Sequence, residues 1–269
     1  MPLAPTLRKR FRRAPSAPLI SPPLIIAHRG ASGEAPENTL AAFDLAVRQG
    51  ASAVEFDVHL SADGVPVVLH DRWLGRTTSG TGRVSDYPVS LLKRLDAGSW
   101  FNRRHPDRAQ SRYANQKIPL LSQVLAWASD HGLQVFVEIK LGGGAYPGIE
   151  ARVLDEIARV SMSGFATVIS FDFPTLARLR RLDPRIPLGL DCTRPTLALS
   201  RAQRIGASFI LPHWAFAPRR FIRRAHRARI RVGVWDLDRP RAMRRKIADG
   251  VDAAVTRYPA RLRQILYPL

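Results

Sequence analysis

Eight times along this chain a short apolar, β-branched run is followed by a segment with helical period, and few folds accept that pattern. The runs fall near residues 24–28, 53–58, 134–139, 166–170, 187–190, 208–211, 231–235 and 252–256. The helical segments fall near 39–49, 121–131, 148–160, 174–183, 195–204, 218–229, 239–248 and 259–266. Pro174 after Asp172-Phe173, and Pro240 after Asp238, read as helix starts; Gly50, Gly206 and Gly250 read as helix ends. Eight strand–helix units in 269 residues predict an α/β protein, a (β/α)8 barrel of the TIM type, with a doubly wound sheet as the alternative. This length suits one such barrel, so residues 24–269 are expected to form a single domain. The stretch 60–120, between the second and third of these strands, is too long for a plain connection and predicts a small insertion containing a hairpin and a helix.

Residues 1–23 differ in kind. They hold six prolines and the cluster Arg8, Lys9, Arg10, Arg12 and Arg13. Proline density argues against a helix, and the reading is a disordered, solvated arm, with weak peripheral docking to an anionic membrane as the functional alternative. No apolar core of secretory length follows it, so a cytoplasmic protein, at most peripheral at the membrane, is expected. The lone Cys192 excludes an internal disulfide and any cysteine-rich metal centre. Basic residues outnumber acidic ones by 42 to 22, which suits an anionic partner: a nucleic acid, a membrane surface or a phosphorylated substrate. Only five of the 42 are lysines. So uniform an arginine bias points to base composition of the genome rather than to a binding face, and no specific nucleic-acid partner is expected.

In a barrel of this type the site lies at the C-terminal strand ends. His28 and Arg29 end the first strand, Glu55 and Asp57 stand near the end of the second, Glu138 and Lys140 end the next, and Trp235 and Asp236 end the seventh. Glu55 and Asp57 are two apart and leave one face of their strand, while Val54, Phe56 and Val58 point the other way. With Glu138 they make three hard oxygen donors without a thiolate, a set suited to Mg2+, Ca2+ or Mn2+; neutralisation by arginine or lysine is the alternative. His28 and His70 each follow an apolar run. Two histidines beside a carboxylate cluster can divide acid and base work between them. The grouping suits phosphodiester cleavage, though not uniquely.

The runs His28-Arg29-Gly30, Pro36-Glu37-Asn38-Thr39, Glu55-Phe56-Asp57-Val58, Asp63-Gly64 and Val67-Val68-Leu69-His70-Asp71 are similar to the glycerophosphodiester phosphodiesterase family. Arg76-Thr77-Thr78, Ile118-Pro119-Leu120-Leu121, Val137-Glu138-Ile139-Lys140, Ser170-Phe171 and Val234-Trp235 agree, and the resemblance spans about residues 24–260. It implies hydrolysis of a small-molecule glycerophosphodiester to sn-glycerol 3-phosphate and an alcohol, with one divalent cation, Mg2+ or Ca2+, or else Mn2+. By motif position Glu55, Asp57 and Glu138 would hold the cation. His28 and His70 would be the acid–base pair, and Arg29 and Lys140 would contact phosphate. Glu37, Asn38 and Trp235 would shape the substrate pocket, Glu37 or Asn38 hydrogen-bonding His28 or substrate. A close rival shares these residues, lysophospholipase D-type cleavage of lysophospholipids; a rival of another class, a non-catalytic anion- or nucleic-acid-binding barrel, expects lost catalytic residues, whereas all seven are present.

Two stretches depart from the family pattern. Trp235-Asp236-Leu237-Asp238 stands where many members carry Trp-Thr-Val-Asn, and Thr256-Arg257-Tyr258-Pro259 where many carry Thr-Asp-Tyr-Pro. A compensating Asp236–Arg257 pair is expected from them. Trp100, Phe101 and Trp214 are read either as an apolar wall for the alcohol or as ordinary packing. His59, His105, His131, His213 and His226 are read as packing or surface residues, Cys192 as incidental, Gly142-Gly143-Gly144 as a rim loop, and the arginines of 219–231 as a solvated outer face.

Overall fold

The computed structural model describes residues 22–140 and 146–268. Nearly all of the expected arm, and the Gly142–Gly144 loop, lie outside them. The strands are β1 (Leu24–His28), β2 (Ala53–Leu60), β3 (Pro66–Val68), β4 (Gln134–Ile139), β5 (Ala166–Ser170), β6 (Leu188–Cys192), β7 (Phe209–Pro212), β8 (Arg231–Val234) and β9 (Ala253–Thr256). All but β3 are parallel, in the order β1-β9-β8-β7-β6-β5-β4-β2. The sheet closes on itself where His28 of β1 comes into register with Glu55 of β2. This is the closed eight-stranded barrel, not the open doubly wound sheet.

Eight helices cover the outside: α1 (Leu40–Arg48), α4 (Leu121–Asp130), α5 (Ile149–Arg159), α6 (Phe173–Leu182), α7 (Ala198–Arg204), α8 (Arg219–Arg227), α9 (Pro240–Asp249) and α10 (Pro259–Leu266). The insertion holds the β3 hairpin, antiparallel on β2, and two short helices, α2 (Val89–Leu92) and α3 (Ser99–Arg104). Local chemistry explains the helix ends. Asp172 caps α6 by accepting from the Thr175 amide at 2.8 Å, with Pro174 in the first turn. Asp238 does not cap α9 in the same way. The helix begins at Pro240 after Arg239, and Asp238 instead accepts from the Thr256 hydroxyl at 3.0 Å.

Strand period two divides the core into layers. Outward residues such as Ile25, Val54, Phe56, Val58, Val137 and Ile210 pack against the helices. Inward ones, Ile26, Ala53, Phe136, Ile169, Phe209, Leu211, Ala253 and Val255, fill the barrel. The interior is tight enough to require glycine at 189, where a Cβ would come within 2.8 Å of Ile169 and Leu211. Continuing the same alternation toward the C-terminal ends turns His28, Glu55, Asp57, Glu138 and Asp191 inward. The apolar plug of the barrel is therefore the floor of a polar mouth. The arginines of α8 do lie on the solvated face, with Ile222 and Ala225 buried beneath.

Candidate active site

The mouth is a cavity of about 160 Å3 lined by His28, Arg29, Glu55, His70, Glu138, Lys140, Ile169, Phe171, Asp191, Leu211, Trp235, Asp236 and Val255. Seven of these were singled out from the sequence as strand-end or motif residues with a site role: His28, Arg29, Glu55, His70, Glu138, Lys140 and Trp235. Asp57 lies directly behind the wall, fully buried.

Glu55, Asp57 and Glu138 bring one oxygen each to within 4.8 Å of one another. Two cations serve three carboxylates. Lys140 donates to Glu138 Oε1 at 2.6 Å and lies 3.1 Å from Asp57 Oδ1. Arg29 Nε lies 3.3 Å from Asp57 Oδ2, and its amide donates to Glu55 Oε2 at 3.0 Å. Of the two alternatives left open by the sequence, ion pairing is present, with three carboxylates beside two cations, and the same three carboxylates could hold a metal ion. Glu55 Oε1 is buried with no hydrogen-bond partner, which is costly unless a cation sits there. The charges divide accordingly. Burial pushes Glu138 up to about 7 against the pull of Lys140, and burial with Asp57 pushes Glu55 well above its ordinary range. Burial would raise Asp57 too, but Lys140 and Arg29 outweigh it and hold that carboxylate far below its usual value.

Each histidine has its own aspartate. His70 Nδ1 lies 2.6 Å from Asp71 Oδ1. His28 Nδ1 lies 3.0 Å from Asp236 Oδ1, and both atoms are buried without another partner. This is a close charge contact rather than an aligned hydrogen bond. Contact with His28 holds Asp236 down at about 2. The expected Asp236–Arg257 pair is not formed. Arg257 Nε donates to Asp238 Oδ2 at 2.6 Å, and its amide donates to the other Asp238 oxygen at 2.9 Å. The strand-end turn at 236, at φ +30, carries Asp236 away from Arg257 and into the mouth.

The first loop supports the cations. Glu37 accepts from Arg29 Nη1 at 3.0 Å and from both terminal nitrogens of Arg76, so it braces Arg29 rather than hydrogen-bonding His28. Arg76 also holds Asp71, which joins Arg29 to His70 through one chain of ion pairs. Asn38 donates to Asp57 Oδ2 at 2.8 Å. The turn needs Arg29, Gly30 and Asn38 at positive φ, and a Cβ on Gly30 would come within 2.7 Å of the Ala42 backbone.

Three residues carry more than the sequence reading gave them. Asp191, inward on β6, was passed over because a single acid in LGLDC carries no motif. His59 is buried and bonds the Tyr146 hydroxyl at 2.9 Å and the His70 carbonyl at 3.0 Å, so it fixes the backbone that presents His70. Phe171, noted only within a motif, forms the cavity wall against Trp235, their ring centroids 5.6 Å apart. Trp100 and Phe101 of the insertion take the packing alternative, beside Tyr113 and beside Ala35 and Ala42 from the first loop and α1, and Trp214 packs on the outer core. Burial raises the Cys192 thiol to about 12, as befits an unreactive residue. Among the described residues no helix is long and apolar enough to cross a membrane.

A (β/α)8 barrel with carboxylates, two cations and two histidines around one mouth is a catalytic barrel equipped for an anionic substrate. Residues 28–261 match the model of the glycerophosphoryl diester phosphodiesterase family. A glycerophosphodiester phosphodiesterase of Caldanaerobacter subterraneus is 33% identical over 243 residues, covering 89% of this chain and 96% of that protein. An Oleispira antarctica phosphodiesterase, solved in complex with its product sn-glycerol-3-phosphate, superposes with a TM-score of 0.79 at 30% identity over 90% of this chain and 96% of that one. The Agrobacterium tumefaciens glycerophosphodiester phosphodiesterase gives 0.77 at 30% identity, covering 89% and 98%. The chain belongs to the glycerophosphoryl diester phosphodiesterase family, and it is an enzyme of that family.

Proposed function

We propose that the mouth hydrolyses glycerophosphodiesters to sn-glycerol 3-phosphate and an alcohol with the help of one divalent cation, Mg2+, Ca2+ or Mn2+. The observation that carries this reading is the placing of two histidines, each against its own aspartate, around a carboxylate cluster with a buried, unpartnered oxygen on Glu55. Glu55, Asp57 and Glu138 are the residues that would hold the cation, and its chemistry there is to offset phosphoryl charge. Arg29 and Lys140 bind the phosphate oxygens and stabilise the second negative charge that develops as the phosphorus becomes pentacoordinate. One histidine takes the proton of the attacking oxygen, whether the glycerol 2-hydroxyl or a water, while the other gives a proton to the departing alcohol oxygen. Asp71 and Asp236 keep the two rings turned for that exchange. The plugged floor of Ile169, Leu211 and Val255 leaves room for a small polar moiety and none for an acyl chain running down the barrel, which favours glycerophosphodiesters over lysophospholipids.

The test is release of sn-glycerol 3-phosphate from glycerophosphocholine and glycerophosphoethanolamine. Protein stripped with EDTA is reloaded with Mg2+, Ca2+ or Mn2+ beside a Glu55→Ala control. Activity restored by a metal and absent in the control supports the reading; inactivity with every metal refutes it.

A further inference from the structure

The geometry points to Asp191 as a specificity residue that accepts a hydrogen bond from the terminal hydroxyl of the glycerol moiety, an inference that rests on the phosphodiesterase reading. Asp191 is 5% exposed, lines the cavity, and has an oxygen with no hydrogen-bond partner. It stands apart from the three carboxylates that converge within 4.8 Å. Lys140 is held by Glu138 and Asp57 and makes no hydrogen bond to Asp191 Oδ2, although its charge offsets part of the rise in the Asp191 pKa. Burial pushes the Asp191 carboxyl well above its ordinary range, and Glu138 adds to the effect. A buried acid that the folded chain leaves unmatched costs stability, and such sites are kept where a ligand supplies the missing donor.

Position selects the donor. Asp191 pairs in register with Leu211 on β7, and Gly189, two residues earlier on the same inward face, leaves its space to Ile169 and Leu211. Asp191 therefore sits above the apolar plug on the β6 side of the mouth, outside the group formed by Glu55, Asp57 and Glu138. A cavity of about 160 Å3 is smaller than the roughly 300–1,000 Å3 of pockets that enclose whole drug-sized ligands. It takes one end of a diester. The varied alcohol must point outward past Phe171, which is half exposed. The constant end, glycerol, then lies on the floor, its 2-hydroxyl and phosphate toward the histidines and cations. Its terminal hydroxyl is the donor left for Asp191. Acylation of that hydroxyl, as in a 1-acyl lysophospholipid, removes the donor and leaves the acid unmatched, so the same residue would also discriminate against lysophospholipids.

The test compares glycerophosphocholine with 2-hydroxypropyl phosphocholine, which keeps the 2-hydroxyl and lacks the terminal one, using metal-loaded protein. The wild-type protein should favour the glycerol compound by about 100-fold in kcat/KM, since a site built around a substrate hydroxyl rejects the analogue lacking it. Asp191→Leu should reduce that preference to about threefold or less while sparing the analogue, and Asp191→Asn should fall between them. Because Asp191→Leu removes an unmatched buried acid, its melting temperature should not fall. Equal turnover of both compounds by the wild type, equal loss of both in Asp191→Leu, or weakened metal binding in that variant would each overturn the inference. Calorimetry with sn-glycerol 3-phosphate and propane-1,2-diol 1-phosphate separates it from the parent reading. If no diester is turned over, the function fails alone when the wild type binds the glycerol phosphate more tightly and Asp191→Leu does not. Equal binding of the two phosphates, or none, removes the role of Asp191 as well.

Discussion

His28 Nδ1 meets Asp236 Oδ1 at 3.0 Å, and the aspartate reaches it only because residue 236 adopts φ +30, in the left-handed region. Asparagine and aspartate tolerate that region better than other side-chain-bearing residues. A strained backbone position that delivers a carboxylate to a candidate catalytic histidine is a place where strain serves orientation.

Removing the charge at 236 should therefore lower kcat with little change in KM. Asp236→Asn is expected to cost about 10- to 100-fold, at or below the lower part of the ~10²–10⁴ range supplied by a general acid or base. Stability should change by about 0.5 kcal/mol or less, because asparagine also accepts the conformation. Steady-state kinetics and thermal melts on one preparation check both halves. A rise in KM alone would place Asp236 in substrate binding instead.

His70 belongs to the longer chain His70–Asp71–Arg76–Glu37–Arg29. Burial lowers its pKa below the ordinary histidine value, against the opposing pull of Asp57 and Asp71. His70→Ala should cost about 10²–10⁴ in kcat. Asp71→Asn removes a contact that favours the imidazolium, so the limb of the kcat/KM–pH profile belonging to His70 should move to lower pH, whichever limb that is. Movement to higher pH would contradict the assignment.

The cation site carries a pH dependence of definite sign. Glu138 sits near 7 because of burial, so below that pH a proton competes with the metal for it. Affinity for Mg2+ or Ca2+ should rise with pH by up to about tenfold per unit for each ligand carboxyl that must lose its proton, Glu138 on approaching 7 and Glu55 with it. Binding should release a proton at pH 6. Calorimetry in buffers of differing ionisation heat reads both quantities. The linked stability has the same sense: a raised folded pKa stabilises the metal-free protein at low pH and ceases to do so as pH rises through it. Saturating metal, worth about 2.7 kcal/mol at a hundredfold excess over Kd, should therefore raise the melting temperature more at pH 8 than at pH 6.

Much of this architecture was legible because strand alternation obeys a local rule. Once Val54, Phe56 and Val58 are assigned outward, Glu55 and Asp57 must turn inward; Glu55 lines the mouth and Asp57 lies buried behind its wall. What depended on contacts between distant segments was not legible. Arg257 and Asp236 are near neighbours at the rim, and opposite charge made them look like a pair. Asp238 captures Arg257 through one bond from its backbone amide and one from its guanidinium, and residue 236 stands at positive φ. Asp191 and His59 had no spacing to announce them, since each acquires its meaning from other strands and loops: Leu211 and Ile169 in one case, the His70 carbonyl in the other. Glu37 was assigned to the correct loop, but its bonds to Arg29 and Arg76 were not legible, because Arg76 arrives from the insertion.

The interior plug offers the most direct test of how the barrel supports its mouth. Phe136 is fully buried, stacks edge-on to Phe209 with centroids 5.3 Å apart, and precedes Glu138 by two residues on the same inward face. Phe136→Ala should destabilise the protein by about 3–5 kcal/mol through lost burial and an unfilled cavity. At roughly 2–4 °C per kcal/mol for a chain of this size, the melting temperature should fall by about 6–20 °C. Phe136→Leu keeps most of the volume and should cost about 1.5 kcal/mol or less. If the plug sets the height of Glu138, metal affinity at 20 °C should weaken in Phe136→Ala while the variant is still folded, and stay near wild type in Phe136→Leu. Unchanged affinity in a folded Phe136→Ala protein would show instead that Lys140 and the strand pairing of β2 with β4 hold Glu138 without help from below.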